Sequence, residues 1–153
     1  MKFPDGPAQS EPALRTSEPA DAFERRLQAI FADEARTHLA RLDAGLARFA
    51  AAGAPQQAAL AAPILEALHT LAGAARSVEL GELEWLCRAL ESVFAAAGSG
   101  TGLTAEQLGL VRPAVGVAGM LLEEPSLRAR AHALALLGQL EALARQLAAP
   151  RPA

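Results

Sequence analysis

Alanine and leucine fill the chain, at 38 and 25 of 153 positions, while Val, Ile and Thr together contribute only 5, 2 and 5. Ala and Leu enter a helix at the lowest cost, and strands draw on β-branched and aromatic side chains. An all-β fold is therefore excluded. Aromatic residues make up just 4% of the chain, so its core has to be assembled from thin Ala and Leu layers, which calls for closely spaced helices.

The apolar period places those helices. Phe23, Leu27, Ile30, Phe31, Leu39, Leu42, Leu46 and Phe49 recur at three- and four-residue steps between Asp21 and Ala52, the mark of one long amphipathic helix, and Gly53-Ala54-Pro55 ends it. A second helix is expected from about Gln56 to Val78 with a stripe of Ile64, Leu68, Leu71, Ala75 and Val78, and Pro63 is expected to kink it or delay its start. A third spans Leu80 to Ala97 with Leu83, Leu86, Cys87, Leu90, Val93 and Phe94 inward, before the break Gly98-Ser99-Gly100-Thr101-Gly102. The fourth starts on a capping-box pattern, Thr104 with Gln107, flanked by Leu103 and Leu108 as a hydrophobic staple. It runs to Glu124, weakened by Pro113, Gly116 and Gly119, and the last helix, Leu127 to Leu147, is capped by Ser126. Short connections make neighbours antiparallel. The expected fold is all-α, an antiparallel bundle whose first four helices close the core and whose fifth packs outside. The domain then covers residues 21–148, preceded by a disordered leader over residues 1–20 with four prolines and no apolar period, and followed by a frayed tail at 149–153.

Charge and cysteine usage remove several functional classes. A formal net charge of −3 argues against holding nucleic-acid phosphates by bulk electrostatics. The lone Cys87 permits neither an internal disulfide nor a cysteine zinc cage, and no spacing of ligand residues implies a metal or other cofactor. The apolar run Ala114 to Leu122 is half a membrane span, and the N-terminus carries no signal pattern, so no membrane partner is expected and the setting is cytoplasmic.

Three histidines remain as candidates for chemistry. His38 lies among the apolar residues of the first helix and reads as a packed or partly buried histidine. His132, beside Arg128 and Arg130, reads as a solvated one. His69 differs. Taking Leu68 as the centre of the buried stripe, His69 lies about 100° away, Arg76 about 80° and Gly73 about 140°, at roughly 100° per residue. His69 thus faces outward from the edge of the core. Gly73, one turn on, occupies a helix interior where Gly costs about 1 kcal/mol relative to Ala, so clearance beside the imidazole is the functional reading. On the third helix Glu91 stands at the equivalent edge, about 80° from Leu83. If the two helices pack antiparallel, Glu91 reaches the ring, accepts the Nδ1 proton and leaves Nε2 as the nucleophile. The alternative is that Glu84, Arg88 and Glu91 form ordinary surface pairs one turn apart.

The run His69-Thr70-Leu71-Ala72-Gly73-Ala74-Ala75, preceded by Ile64-Leu65-Glu66-Ala67-Leu68 and followed by Leu86-Cys87-Arg88-Ala89-Leu90-Glu91, resembles the histidine phosphotransfer (HPt) domain. More particularly, it is similar to the N-terminal domain of CheA-type chemotaxis kinases, whose signature is His-x-x-Lys-Gly on one helix and Leu-Glu on the next. Phe31-Ala32-Asp33-Glu34-Ala35 through His38-Leu39 also resembles that family's first helix. The resemblance implies a phosphorelay intermediate in which His69 accepts a phosphoryl group on Nε2 and passes it to a receiver-domain aspartate. Glu91 would orient the ring and Gly73 would give clearance. Its implied partners are a histidine kinase catalytic domain and a response-regulator receiver, whose ATP site and Mg²⁺ stabilise the transfer. The chain would be a substrate and relay without a kinase core, either a whole product or a fragment of a kinase. One departure stands out: the family's Lys is Ala72 here. Arg76 and Arg88 are the cations expected to replace it; Ala72→Lys is expected to accelerate transfer if the absent Lys is limiting, and to bring no gain if Arg76 or Arg88 compensates. The alternative function is a degenerate adaptor that binds signalling partners without being phosphorylated.

Overall fold

The computed structural model describes residues 19–150. Within them lie five helices: α1 (Ala20–Ala51), α2 (Ala54–Ser77), α3 (Gly81–Gly98), α4 (Ala105–Glu123) and α5 (Leu127–Ala148). The expected leader falls almost wholly outside the described residues, as do the last three residues of the expected tail. Helix α2 packs on α1 and α3, α4 returns to α1, and α5 fills in against α3 and α4, packing on each more closely than those two pack on each other and adding Leu136 and Leu140 to the core. This is the all-α bundle the periodicity predicts. Its interior is a single cluster of mostly Ala, Leu and Val, with Phe49 and Phe94 meeting edge to face at 5.3 Å between ring centroids.

Local chemistry sets the helix boundaries. Thr104 and Gln107 form the complete capping box: the Gln107 amide donates to the Thr104 hydroxyl at 3.2 Å and the Thr104 amide to Gln107 Oε1 at 2.8 Å. Ser126 caps α5 by accepting from the Ala129 amide at 3.1 Å. Pro63 neither delays nor ends α2, which already begins at Ala54 because Pro55 sits in the first turn, where a missing amide proton costs nothing. Helix α4 likewise runs through Pro113. By length and composition α2 is apolar enough to cross a membrane. In the fold it is instead a bundle helix, burying Ile64, Leu68, Leu71, Ala72 and Ala75.

One expectation about α1 is corrected. Phe23 and Ile30 are 58% and 57% exposed and Leu27 is also exposed, although all three continue the apolar period of the core residues Phe31, Leu42, Leu46 and Phe49. For Phe23 the reason is length: helix α1 has 32 residues and its partner α2 has 24, so at 1.5 Å per residue the first two turns of α1 outrun it. Leu27 lies beside the last residues of α2, and Ile30, next to the buried Phe31, turns outward.

The turn between α2 and α3 fixes the geometry of the site. Glu79 adopts a left-handed conformation at φ 61°, which lets the Leu80 amide donate to the Ala75 carbonyl at 2.9 Å and closes the end of α2. A non-glycine residue in that region costs roughly 1–2 kcal/mol, offset here by the satisfied carbonyl and by the packing of Leu80 against the core. At the opposite end of the bundle Gln57 is the one buried polar side chain among the described residues. Its amide nitrogen donates to the carbonyls of Phe49 at 3.0 Å and Ala52 at 3.3 Å, and its oxygen accepts from the Leu103 amide at 2.9 Å. Gln57 thus joins the end of α1 to the loop before α4. Gly102 passes over it at φ 77°, where a Cβ would collide with the carboxamide oxygen.

Candidate functional site

His69 and Glu91 each stand eleven residues from Leu80, the centre of the α2–α3 turn, so an antiparallel hairpin brings them level. Leu68 and Leu90, each the preceding residue, are buried and hold the two helices face to face. The edge positions then meet across the seam. His69 Nδ1 lies 3.0 Å from Glu91 Oε1, with the imidazole 75% exposed and the carboxylate only 19%. That asymmetry matters chemically. Glu91 is anchored in the groove and His69 stands out of it, so a donating Nδ1–H leaves the Nε2 lone pair directed at solvent.

The surface-pair reading of Glu91 also holds, on its other oxygen. Arg88 Nη1 approaches Glu91 Oε2 at 3.5 Å while Arg88 Nε approaches Glu84 Oε1 at 3.5 Å. The carboxylate therefore bridges the imidazole of α2 and the guanidinium of α3. Arg88, expected as a cation free to reach the site from across the helix pair, is already committed to two acidic neighbours on its own helix. Arg76 lies exposed two turns beyond His69 on α2, without an ion pair among the described residues.

Two neighbouring positions complete the α2 face. Gly73 is exposed, and a Cβ built on it meets nothing within 4 Å, so nothing among the described residues requires a glycine there. Any need for the space comes from a molecule that approaches His69. Ala72 is fully buried, packed in the core rather than presented beside the imidazole. The expectation that Ala72→Lys restores a cation and speeds transfer is therefore corrected: an ammonium introduced there starts inside an apolar layer, and the substitution tests packing before it tests chemistry.

The other titratable groups sort by environment. His132 is exposed, as expected. His38 is half-buried, and its Nδ1 is shut from solvent without a hydrogen-bond partner. Cys87 lies directly under the site, fully buried; burial, and secondarily the Glu91 carboxylate, push its thiol up to about 12. It is a packing residue rather than a nucleophile. On the far side of α1, Arg36 binds Glu123 at 2.8 Å and Asp33 at 3.0 Å, and the guanidinium holds the Glu123 carboxyl below the usual range. Among the described residues no three His, Cys, Asp or Glu side chains are grouped to hold a metal.

Reasoning from sequence did not find Gln57. A glutamine in the first turn of a helix is usually solvated, and only the non-local closure of the 99–104 loop over it produces its burial.

Comparison with curated proteins and with solved structures returned no match. A family model did match, that of the Hpt domain, over residues 26–149. This span covers most of the chain, all of α2 to α5 and most of α1. Hpt domains are phosphotransfer modules of phosphorelays rather than catalysts in their own right, and they work with histidine kinases and response-regulator receivers. An exposed histidine backed by a carboxylate in an all-helical bundle fits that description, and the chain belongs to the Hpt family.

Proposed function

We propose that His69 is the phosphoacceptor of a phosphorelay, taking a phosphoryl group on Nε2 from a kinase domain and yielding it to a receiver aspartate. The observation that carries this reading is the 3.0 Å contact between Nδ1 of a largely exposed imidazole and a largely buried carboxylate. In the forward step the Nε2 lone pair forms the P–N bond as the donor's P–O bond breaks, and the ring becomes positively charged. Glu91 offsets that charge through the Nδ1–H it accepts, an interaction stronger in the transition state than in the neutral ground state. In the return step an aspartate oxygen attacks phosphorus, the P–N bond breaks, and its electron pair returns to Nε2. The chain's own contribution is a positioned, solvent-facing nucleophile. Gly73 leaves room on the same face for the partner, and Arg76, two turns on and without an ion pair among the described residues, is the cation we assign to the phosphoryl oxygens. The helix count supports placing the domain, residues 21–148, with the chemotaxis-kinase branch, and a cytoplasmic setting is part of the same reading because the kinase ATP site it needs is supplied there.

The testing experiment is radiolabel transfer from a chemotaxis-type kinase core to the wild-type protein, with the acid and base stability of the product measured. Acid-labile, base-stable label is expected, as for a phosphoramidate linkage. A folded protein that takes no label from several kinase cores, or from phosphoramidate itself, would instead favour the adaptor reading.

A further inference from the structure

Beside His69, on the flank away from Glu91, a groove of roughly 330 Å³ runs between α1 and α2. Its α1 wall presents His38, Arg41, Gly45 and Arg48, which share one helix face, and its α2 wall presents Pro63, Glu66 and Thr70. Gly45 makes the groove possible: a Cβ there would press on the Ile64 side chain at 3.1 Å, so α1 and α2 close tightly beneath and leave the two arginines standing above a shallow floor.

The arginines are uncommitted. Arg36, the next cation before Arg41 on α1, is tied to Asp33 and Glu123, whereas neither Arg41 nor Arg48 has an ion pair or side-chain hydrogen bond among the described residues. The Nδ1 of His38, at the end of the same row, is buried without a partner. Two unpaired cations on one wall, in a chain of net charge −3, form a local field opposite in sign to the whole. Seven residues of helix separate Arg41 from Arg48, about 10 Å along the axis.

We infer that this groove is a docking site for an acidic helix of the protein partner that exchanges phosphoryl groups with His69. A helix carrying carboxylates two turns apart matches the spacing of Arg41 and Arg48 and can pair with both. Thr70 and Glu66, one position after and three before His69, place the occupant within one helical turn of the imidazole. Glu66, the carboxylate on the opposite wall, disfavours acidic side chains there and so sets which edge of the partner helix faces α1. The inference rests on His69 being the phosphoacceptor, and the experiment separates the two.

The probe is a synthetic Ala-rich helical peptide with glutamates two turns apart, compared with an isomer whose glutamates lie on opposite faces. Binding is followed by backbone-amide and arginine Nε–H chemical shifts. The paired peptide is expected to bind about three- to five-fold more tightly than its isomer, the difference of one exposed ion pair, with shifts centred on Arg41, Gly45, Arg48 and Thr70, and Arg41→Gln with Arg48→Gln is expected to remove the difference. Equal binding of the two peptides overturns the inference. So does full competition by inorganic phosphate, which would make the groove a small-anion site, or a dilution-dependent shift of the same amides without peptide, which would make it a contact between copies. Phosphoramidate labelling of the double variant is read in parallel and is expected to be unchanged. Loss of labelling in the wild-type protein as well would count against His69 and leave the peptide result standing.

Discussion

His69 and His38 lie on neighbouring helices, one at the outward edge of its apolar stripe and the other among apolar residues, and the structure keeps that distinction and adds to it. His69 stands out of the bundle with Nδ1 held by Glu91 at 3.0 Å; His38 is half-buried with Nδ1 enclosed and unpartnered. Exposure follows from the face of the helix that carries each histidine; the hydrogen bond does not. It comes from the helix opposite: α3 offers a carboxylate level with His69, and α2 offers no acceptor within reach of His38 Nδ1. A nucleophilic histidine in such a bundle is thus a property of a helix pair, set by the length of the connecting turn.

The comparison breaks most severely if the two histidines are exchanged in importance. His69→Gln is expected to abolish acid-labile label while His38→Gln retains it within about two-fold, both read by phosphoramidate labelling of folded protein. Label surviving in the first variant and lost in the second would reverse the assignment. Next in size is Glu91→Ala. A hydrogen bond to a charged group contributes about 1.5–3 kcal/mol, equivalent to roughly 10- to 100-fold in rate. The expected result is a slower labelling rate by that factor with an unchanged melting temperature; an unchanged rate would mean that exposure alone distinguishes the two rings.

Arg88→Ala sharpens the contrast further. The pair it forms with Glu91 is exposed and 3.5 Å long, so its loss is expected to slow labelling by up to about five-fold, corresponding to the 0–1 kcal/mol of a surface ion pair. Gly73→Ala separates folding from docking. The added methyl meets open space and relieves the entropy cost of a helical glycine, so thermal unfolding is expected to show a gain of about 0.5–1 kcal/mol. Phosphoramidate labelling stays constant while transfer from a protein donor falls; equal transfer would show that no partner needs the space. The smallest effect belongs to Cys87. Because its thiol is raised from 9.0 to about 12 in the fold, iodoacetamide at pH 8 is expected to modify it only after unfolding, which mass spectrometry reads directly. Between those two values the unfolded chain ionises first, so this group's contribution to stability is complete below pH 9 and declines as pH rises towards 12.

The helices were legible because Leu and Phe repeat at the helical period and because Thr104, Gln107 and Ser126 mark starts with specific hydrogen bonds. The His69–Glu91 pair was legible for a related reason: a short turn fixes the register of a hairpin, so residues equidistant from it meet. What could not be read was decided by lengths and volumes. Phe23 obeys the period yet stays exposed, since periodicity reports the face of a helix and says nothing of where its partner ends. Ala72 is compatible with either surface or core, and in an alanine-rich helix its neighbours do not distinguish the two. Glu91 carried two readings that seemed exclusive and are not, because a carboxylate has two oxygens.

Gln57 has a meaning beyond the three bonds it makes. An interior of Ala and Leu is nearly indifferent to which helix lies beside which, and such layers tolerate many windings of the same chain. Gln57 is not indifferent. Only when the end of α1 and the loop before α4 arrive together do the carbonyls of Phe49 and Ala52 and the amide of Leu103 satisfy it. In any other winding a carboxamide sits in a dry layer with nothing to bond, at a cost of about 1–3 kcal/mol for each stranded group. The residue therefore acts as a password for the topology, raising the energy of misassembled bundles more than it lowers that of the native one.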